Sequence, residues 1–280
     1  MPKRRRVGSG TVVGVALVTL LALTMVAPFL YMVSRSLMDG AEVFQWPPRL
    51  LPASPHPENY AAAFTALPFG RIFLNSVVFA GWVVVGQVLT SAAAAYAFAR
   101  LRFPGRERVF VAFLSVLMVP AIVLLIPRFL MIKALGGVDS YAGLISTELV
   151  SVWGIFLLRQ FFLTLPRDLE DAARLDGAGE WTIFWRVILP LSKPALATLA
   201  LFAFVDQWKS FLWPLVATRT ANMQVIEVGL ARFHEAYYTN WPYQMAAAVT
   251  ATLPLLLLCF GAQRYFVGGI ARFSRSVSGG

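Results

Sequence analysis

Charge is what this sequence of 280 residues has least of: Asp, Glu, Lys and Arg together make up 14%, where an ordinary globular protein carries roughly 25%. So few charges cannot cover a water-facing surface, which excludes a soluble domain of this length. Cysteine is nearly absent, and the single Cys259 cannot close an intrachain disulfide, so no disulfide framework holds the fold. The only histidines are His56 and His234, and no His/Cys run has the spacing of metal ligands. No Gly-x-x-x-x-Gly-Lys-Ser/Thr stretch occurs, so this chain does not bind ATP through a P-loop. Gly8, Gly10 and Gly14 follow no strand and make no dinucleotide fingerprint. Neither a Ser/His/Asp set nor a pair of catalytic carboxylates is identifiable, so the chain reads as no enzyme by itself.

What is there is apolar. Hydrophobic residues make up 58%, the mean hydropathy is +0.68, and the apolar residues come in blocks of about twenty, the length that crosses a bilayer as a helix. Spans are expected at 11–33, 74–98, 109–132, 141–162, 194–216 and 243–270, each long enough at about 1.5 Å per residue to cross roughly 30 Å of hydrocarbon. The first follows a basic segment as a signal peptide would, but it is long for one and no small-x-small cleavage site follows, so it reads as a retained helix. The formal charge of +10 would suggest nucleic acid in a soluble protein. In a membrane protein it follows from the retention of Lys and Arg in cytoplasmic loops, and no nucleic-acid partner is implied. With the N-terminus inside, the inner segments hold 16 of the 24 basic residues, among them Lys3, Arg4, Arg5 and Arg6, and the outer segments hold 6. The expected fold class is therefore all-α: a polytopic membrane protein with six transmembrane helices and both termini cytoplasmic. It comprises a basic N-terminus at 1–10, a transmembrane domain at 11–270 with a cytoplasmic loop at 165–190 and an extracytoplasmic loop at 217–242, and a cytoplasmic tail at 271–280.

The outer segment 34–73 is long and proline-rich and reads as an ordered or partly ordered loop. The outer loop 217–242 carries His234, Tyr237, Tyr238 and Trp241. Two readings fit it, contact with a soluble partner and an interfacial aromatic belt.

The most specific stretch lies at 165–190. Pro166 suits a first helical turn, Asp168, Glu170 and Asp171 suit the positive end of a helix dipole, and Gly177 suits a left-handed stop. Leu169, Ala172 and Ala173 share one face, where two alanines admit a second backbone closely. A second helix is expected at 180–189, with Trp181, Phe184, Trp185 and Ile188 as its apolar stripe and Pro190 as its break.

This helix-Gly-helix stretch resembles the cytoplasmic loop of binding-protein-dependent ABC importer permeases, whose pattern is Glu-Ala-Ala, three residues, Gly, nine residues, Ile-x-Leu-Pro. Asp171, Ala172, Ala173, Gly177, Val187, Leu189 and Pro190 occupy those positions, with Asp171 in place of Glu and Val187 in place of Ile, and Glu170 keeps a second acid beside the first. The resemblance covers nearly the whole chain and narrows to the second permease of carbohydrate importers, the maltose and glycerol-phosphate type. Asn75-Ser-Val, the run from Ala94 to Gly105, Asp139-Ser-Tyr-Ala-Gly, Phe211-Leu-Trp-Pro-Leu and Gln263-Arg-Tyr-Phe-Val all look like that subfamily. The resemblance implies a plasma-membrane permease of a bacterium that pairs with a homologous permease and takes a sugar from an extracytoplasmic substrate-binding protein. It implies that Glu170, Asp171, Ala172, Ala173, Gly177, Leu189 and Pro190 couple the chain to an ABC ATPase dimer. ATP and Mg would belong to that partner, with no cofactor in this chain.

Asp206 and Lys209 fall inside the fifth expected span, three residues apart and so on one helix face. Charges at membrane depth cost about 2.5–3.5 kcal/mol each, so they pair or face a wet cavity. Either they line the substrate path with Trp208 and Trp213, or they form an intrahelical ion pair. Lys209 stands where such permeases usually carry Asn. Glu148 and Arg128 raise the same question, with Arg128 alternatively reaching the outer interface; an anionic cargo fits if Arg128 and Lys209 both face the cavity. A rival class, an ion-coupled secondary transporter, predicts broken helices and no helix-Gly-helix loop.

Overall fold

The computed structural model describes residues 9–233 and 240–277, with side chains described as far as residue 261. The basic cluster at 3–6 and the outer-loop residues His234, Tyr237 and Tyr238 lie outside the described residues. The chain divides into two compact units, Met1–Leu67 with Leu230–Leu253 and Pro68–Gly229 with Pro254–Gly280.

The first unit opens with α1 (Ser9–Ser36), 28 residues that are apolar on every side and exposed along most of their length. Such a helix has no polar face to show to water, so its environment is lipid or another apolar protein surface. Its last turn is buried and polar, and it anchors the proline-rich segment that follows. The Arg35 guanidinium donates to the Val43 carbonyl at 2.8 Å, and Asn59 donates to the carbonyls of Ser36 and Met38 at 3.0 and 2.9 Å. The Glu42 carboxylate accepts from the Ala53 amide at 2.7 Å. These bonds fold 34–67 into an ordered loop holding α2 (Gly40–Val43) and α3 (Glu58–Ala66).

The second unit is built on α4 (Phe69–Arg100), 32 residues and so about 48 Å long. Two helices pack along it, α8 (Val152–Thr164) and α12 (Lys193–Trp208). Small residues let the backbones approach: Ala92, Ala95 and Ala99 of α4 and Ala195 of α12 are buried with Leu158, Phe162 and Leu199. A Cβ on Gly154 of α8 would fall 2.7 Å from Ser91 Oγ and 2.9 Å from a Leu199 methyl group.

The expected continuous spans three, four and five are interrupted. In the third, α5 (Arg106–Ser115) and α6 (Leu125–Ala134) belong to two halves bent by 96° at Pro120, which has no amide to donate and holds Val119 extended. The fourth is split into α7 (Tyr141–Ser146) and α8, and the fifth ends at Trp208 and resumes as α13 (Leu212–Ala217). α14 (Ile226–Ala231) follows, and α15 (Trp241–Val277) is the last long helix. Among the described residues three helices are long and apolar enough to cross a membrane unbroken, or five if each bent pair is one span. The all-α membrane fold stands; of the six expected spans, three are long unbroken helices and the others are built from shorter, bent segments.

Backbone that leaves a helix within the hydrocarbon must find partners in the protein. Here α4 supplies them from one polar row. Gln87 donates to the Glu148 carbonyl at 2.8 Å, Thr90 to Leu149 at 2.9 Å and Ser91 to Ser151 at 3.3 Å. The Ser140 and Ser151 hydroxyls cap α7 and α8. At Gly143 a Cβ would collide with the Gly137 carbonyl oxygen, whereas at Gly81 no atom lies within 4 Å. Gly143→Ala is expected to lower stability by about 1–3 kcal/mol through overpacking, read as a fall in the melting temperature of the purified chain in detergent, and Gly81→Ala to leave it unchanged.

Candidate functional site

The helix-Gly-helix stretch forms α9 (Asp168–Leu175), with three acids in its first turn, followed by Gly177 at φ +82°. The Ala178 amide bonds the Ala173 carbonyl at 2.9 Å across that left-handed residue, closing the helix end. Pro166 sits ahead of the cap residue Arg167 rather than in the first turn. The second helix departs further from expectation. It runs as α10 (Glu180–Ile183), a π-turn over Phe184–Ile188 and α11 (Leu189–Leu191), so Pro190 does not break it. The chain instead bends by 77° between Glu180–Leu191 and Lys193–Trp208.

One buried cation organises this loop. Arg100, at the end of α4, donates to the Phe162 and Leu165 carbonyls at 2.6 and 2.8 Å, closing the C-terminal end of α8. Its Nε lies 2.8 Å from the Glu170 carboxylate, with both side chains almost fully buried. Arg174 then bridges Glu170, Asp171 and Glu180, and the Tyr96 hydroxyl, one turn before Arg100, donates to Glu180 at 2.6 Å. The Tyr96 hydrogen bond, aided by Arg174, holds the Glu180 carboxyl below its ordinary value although burial opposes this.

The expected coupling residues therefore part company. Glu170 faces inward to Arg100, and Ala173 and Leu189 are half-buried against the α4–α8 core, because these side chains fasten the loop to its own unit. Asp171, Ala172 and Pro190 face outward with Leu169, Leu175 at 89% exposure and Trp181 at 70%, and Gly177 is exposed between them. Tyr96, Arg100, Arg174 and Glu180 escaped sequence reasoning as a set. The signal available was the spacing of four between Tyr96 and Arg100 on one helix face.

The charges within the spans also sort differently from expectation. Arg128 forms an ion pair with Glu148, donates to Thr147 at 2.8 Å and lies 4.1 Å over the Trp213 ring, so it neither snorkels nor offers a free cation. Trp213 is buried and donates to the Leu144 carbonyl at 2.9 Å. Trp208 is buried too, stacked on Phe204 at 5.3 Å and edge-on to Phe73 at 5.5 Å. Both indoles are buried among protein side chains, and neither lines the cavity beside Asp206. Among the described residues Asp206 and Lys209 make no ion pair; α12 ends at Trp208 and Lys209 is its C-terminal cap residue. Lys209 stands near Glu227, where burial pushes the carboxyl up and the lysine opposes it. Asp206 remains exposed and lines a cavity of about 290 Å³ with Gln87, Ser151, Trp153, Phe202, Leu199 and Ala203. Gln207 joins the two acids, its amide 3.2 Å from Asp206 and 3.5 Å from Glu148. Trp153 and Phe202, in edge contact at 5.5 Å, were not legible as cavity residues, since any apolar span carries aromatics.

At the opposite end of α4 the segments Asn75-Ser-Val and Asp139-Ser-Tyr meet the loop after α13. Asn75 donates to the carbonyls of Asn222 and Gln224 at 2.8 and 2.9 Å and accepts from Tyr141 at 2.6 Å. Asp139 accepts from the Arg219 and Thr220 amides at 2.7 and 3.0 Å and from the Thr220 hydroxyl at 2.9 Å. Burial works to raise the Asp139 carboxyl, but these hydrogen bonds outweigh it and the net direction is downward.

Residues 87–272 match the family described as binding-protein-dependent transport system inner membrane component. The sn-glycerol-3-phosphate transport system permease protein UgpE of Brucella abortus (strain 2308) is 36% identical over 264 residues, covering 91% of this chain and 94% of the relative. UgpE of Yersinia pestis is 36% identical over 241 residues, covering 83% and 86%. Among solved structures, a bacterial ABC transporter involved in the import of the acidic polysaccharide alginate aligns with a TM-score of 0.83 at 26% identity, covering 95% of this chain and 100% of the other. A bacterial alginate ABC transporter in complex with an alginate pentasaccharide-bound periplasmic protein aligns at 0.64 with 14% identity, a likeness of fold alone.

Two outcomes follow from this geometry. Glu170→Ala strands Arg100 as a buried unpaired charge and is expected to cost about 3–5 kcal/mol, against a much smaller loss for the paired Arg100→Met and Glu170→Met replacement, measured by denaturant melts in detergent. At the outer end, the depressed carboxyl of Asp139 means that its contribution is complete above the unfolded value of about 4 and disappears as pH falls through the lower folded value. Limited proteolysis at 217–229 should therefore stay slow at neutral pH and accelerate only in stronger acid, while Asp139→Asn makes it fast at neutral pH.

Proposed function

The chain belongs to the family of binding-protein-dependent transport system inner membrane components, and from that premise we propose that it passes a sugar or sugar derivative from a binding protein across the membrane. It is a multi-pass membrane permease subunit of an ABC importer. The secondary-transporter alternative is not favoured. Broken helices are present as that alternative required, but so is the helix-Gly-helix loop that it lacks. Interrupted spans thus fail to separate the two classes.

In this reading the chain pairs with a homologous permease, and α9 with α10 docks on an ABC ATPase dimer that holds ATP and Mg. The chain itself performs no hydrolysis. Both termini are cytoplasmic, as the distribution of Lys and Arg supports, and the outer loops meet the extracytoplasmic binding protein. The observation that carries the reading is the exposed face of Leu169, Asp171, Ala172 and Leu175 on α9, with Trp181 of α10 exposed beside it, on a loop that Arg100 holds from behind. A large exposed apolar group on a charged cytoplasmic loop marks a protein contact. A load-transmitting contact also needs a stiff backing, and the Arg100–Glu170–Arg174 network provides it.

The relatives' names give sn-glycerol-3-phosphate and one solved structure's title gives the acidic polysaccharide alginate, and the cargo class proposed here stays at sugar or sugar derivative. In the reconstituted importer, Leu175→Asp with Trp181→Ala should reduce binding-protein-stimulated ATP hydrolysis at least tenfold while leaving the melting temperature of this chain unchanged. Unaltered stimulation in that variant would remove the docking assignment.

A further inference from the structure

The cavity beside Asp206 points to the charge of the cargo. It lies where α4, α8 and α12 meet, just past the midpoint of α4, and its polar lining consists of Gln87, Ser151 and Asp206 with the aromatic pair Trp153 and Phe202 beside them. Its volume of about 290 Å³ sits at the small end of the roughly 300–1,000 Å³ common for ligand sites, the scale of a single sugar unit.

No described cation lines this cavity. Arg128 is spent on Glu148 and the Trp213 ring, and Lys209 lies beyond the end of α12 near Glu227. Among the described residues Asp206 is the one ionisable group on the cavity wall, and it accepts a single hydrogen bond, from Gln207. An exposed carboxylate at this depth does not face lipid, since that position costs about 2.5–3.5 kcal/mol. It faces a polar path. The neighbouring Gln207 is buried with its Oε1 unpartnered, and Glu148 stands behind it, so this wall is rich in acceptors and carries net negative charge. Groups that donate hydrogen bonds, hydroxyls and ammonium, satisfy the Asp206 carboxylate and the free Gln207 oxygen; a phosphate or carboxylate finds only neutral donors such as the Ser151 hydroxyl, with no cation to balance it, and is repelled by the Asp206 charge. The aromatic pair offers an apolar surface for the C–H face of a ring.

We propose that Asp206 sets the charge selectivity of this permease, so that it passes neutral or cationic sugars and disfavours phosphorylated or uronate ones. The proposal rests on the importer reading above and differs in cargo charge from what the names of the similar proteins state. A cavity with a free guanidinium or ammonium would have pointed the other way.

The test is uptake by proteoliposomes containing the whole importer with its binding protein. The cargoes are a parent sugar held by that protein, its 2-amino form and its uronate form, with the binding protein's affinity for each measured separately so that receptor selectivity is divided out. Wild type should carry the parent and amino forms and carry the uronate at least about tenfold more slowly. Asp206→Asn should raise the uronate-to-parent ratio about tenfold, and Asp206→Glu should keep the wild-type ratio. A uronate carried as fast as the parent by wild type, or a ratio unmoved by Asp206→Asn, overturns the proposal. ATP hydrolysis stimulated by the binding protein, followed in the same vesicles, reports on the importer reading independently: if it persists while the ratio fails to move, only the selectivity assignment is lost.

Discussion

The ion pair between Arg100 and Glu170 is the constraint on which the end of the second unit that carries α9 depends. Arg100 performs two tasks with one guanidinium: it satisfies the carbonyls that α8 leaves open at its end, and it neutralises a carboxylate from the first turn of α9. A buried arginine without these partners is costly, and so is a buried glutamate. Each therefore fixes the other, and the position of α9 follows from that of α4. Specificity of placement rather than net stability is the sensible account of such a pair, since an apolar replacement of both groups is often neutral.

A second constraint comes from the hydrocarbon. Three expected spans are broken, and each break exposes amides and carbonyls that lipid cannot satisfy. The polar row Gln87, Thr90 and Ser91 on α4 meets the carbonyls of 148, 149 and 151, and its spacing of three and one puts the three side chains on one face. The same row borders the Asp206 cavity. The irregular backbone and the polar opening thus share one cause: α8 starts late, and the space that a continuous helix would fill is lined by Ser151, Trp153 and Asp206.

Several features were legible in the residues alone. The apolar blocks gave the membrane class, and Gly177 gave the left-handed stop after an acid-headed helix. Spacing over twenty residues pointed to the permease family. The paired character of Arg128 and Glu148 was not legible, since they lie twenty residues apart on segments whose bends no periodicity reveals. Trp208 and Trp213 looked like path residues because aromatic rings beside charges suggest a binding site, yet both are buried among protein side chains. Trp153 looked like any other aromatic in an apolar span.

By itself the sequence determined the solvent, the helical class, the family and the existence of a capped helix-Gly-helix segment, because composition, block length and local capping act over a few residues and need no distant partner. Only the tertiary structure decided which acids face inward. Glu170 and Asp171 are adjacent and chemically alike, but Glu170 meets Arg100 from seventy residues earlier while Asp171 points outward. It likewise decided that Asp206 rather than Lys209 reaches the cavity, because the end of α12 falls between them and the partners that neutralise each charge come from elsewhere in the chain.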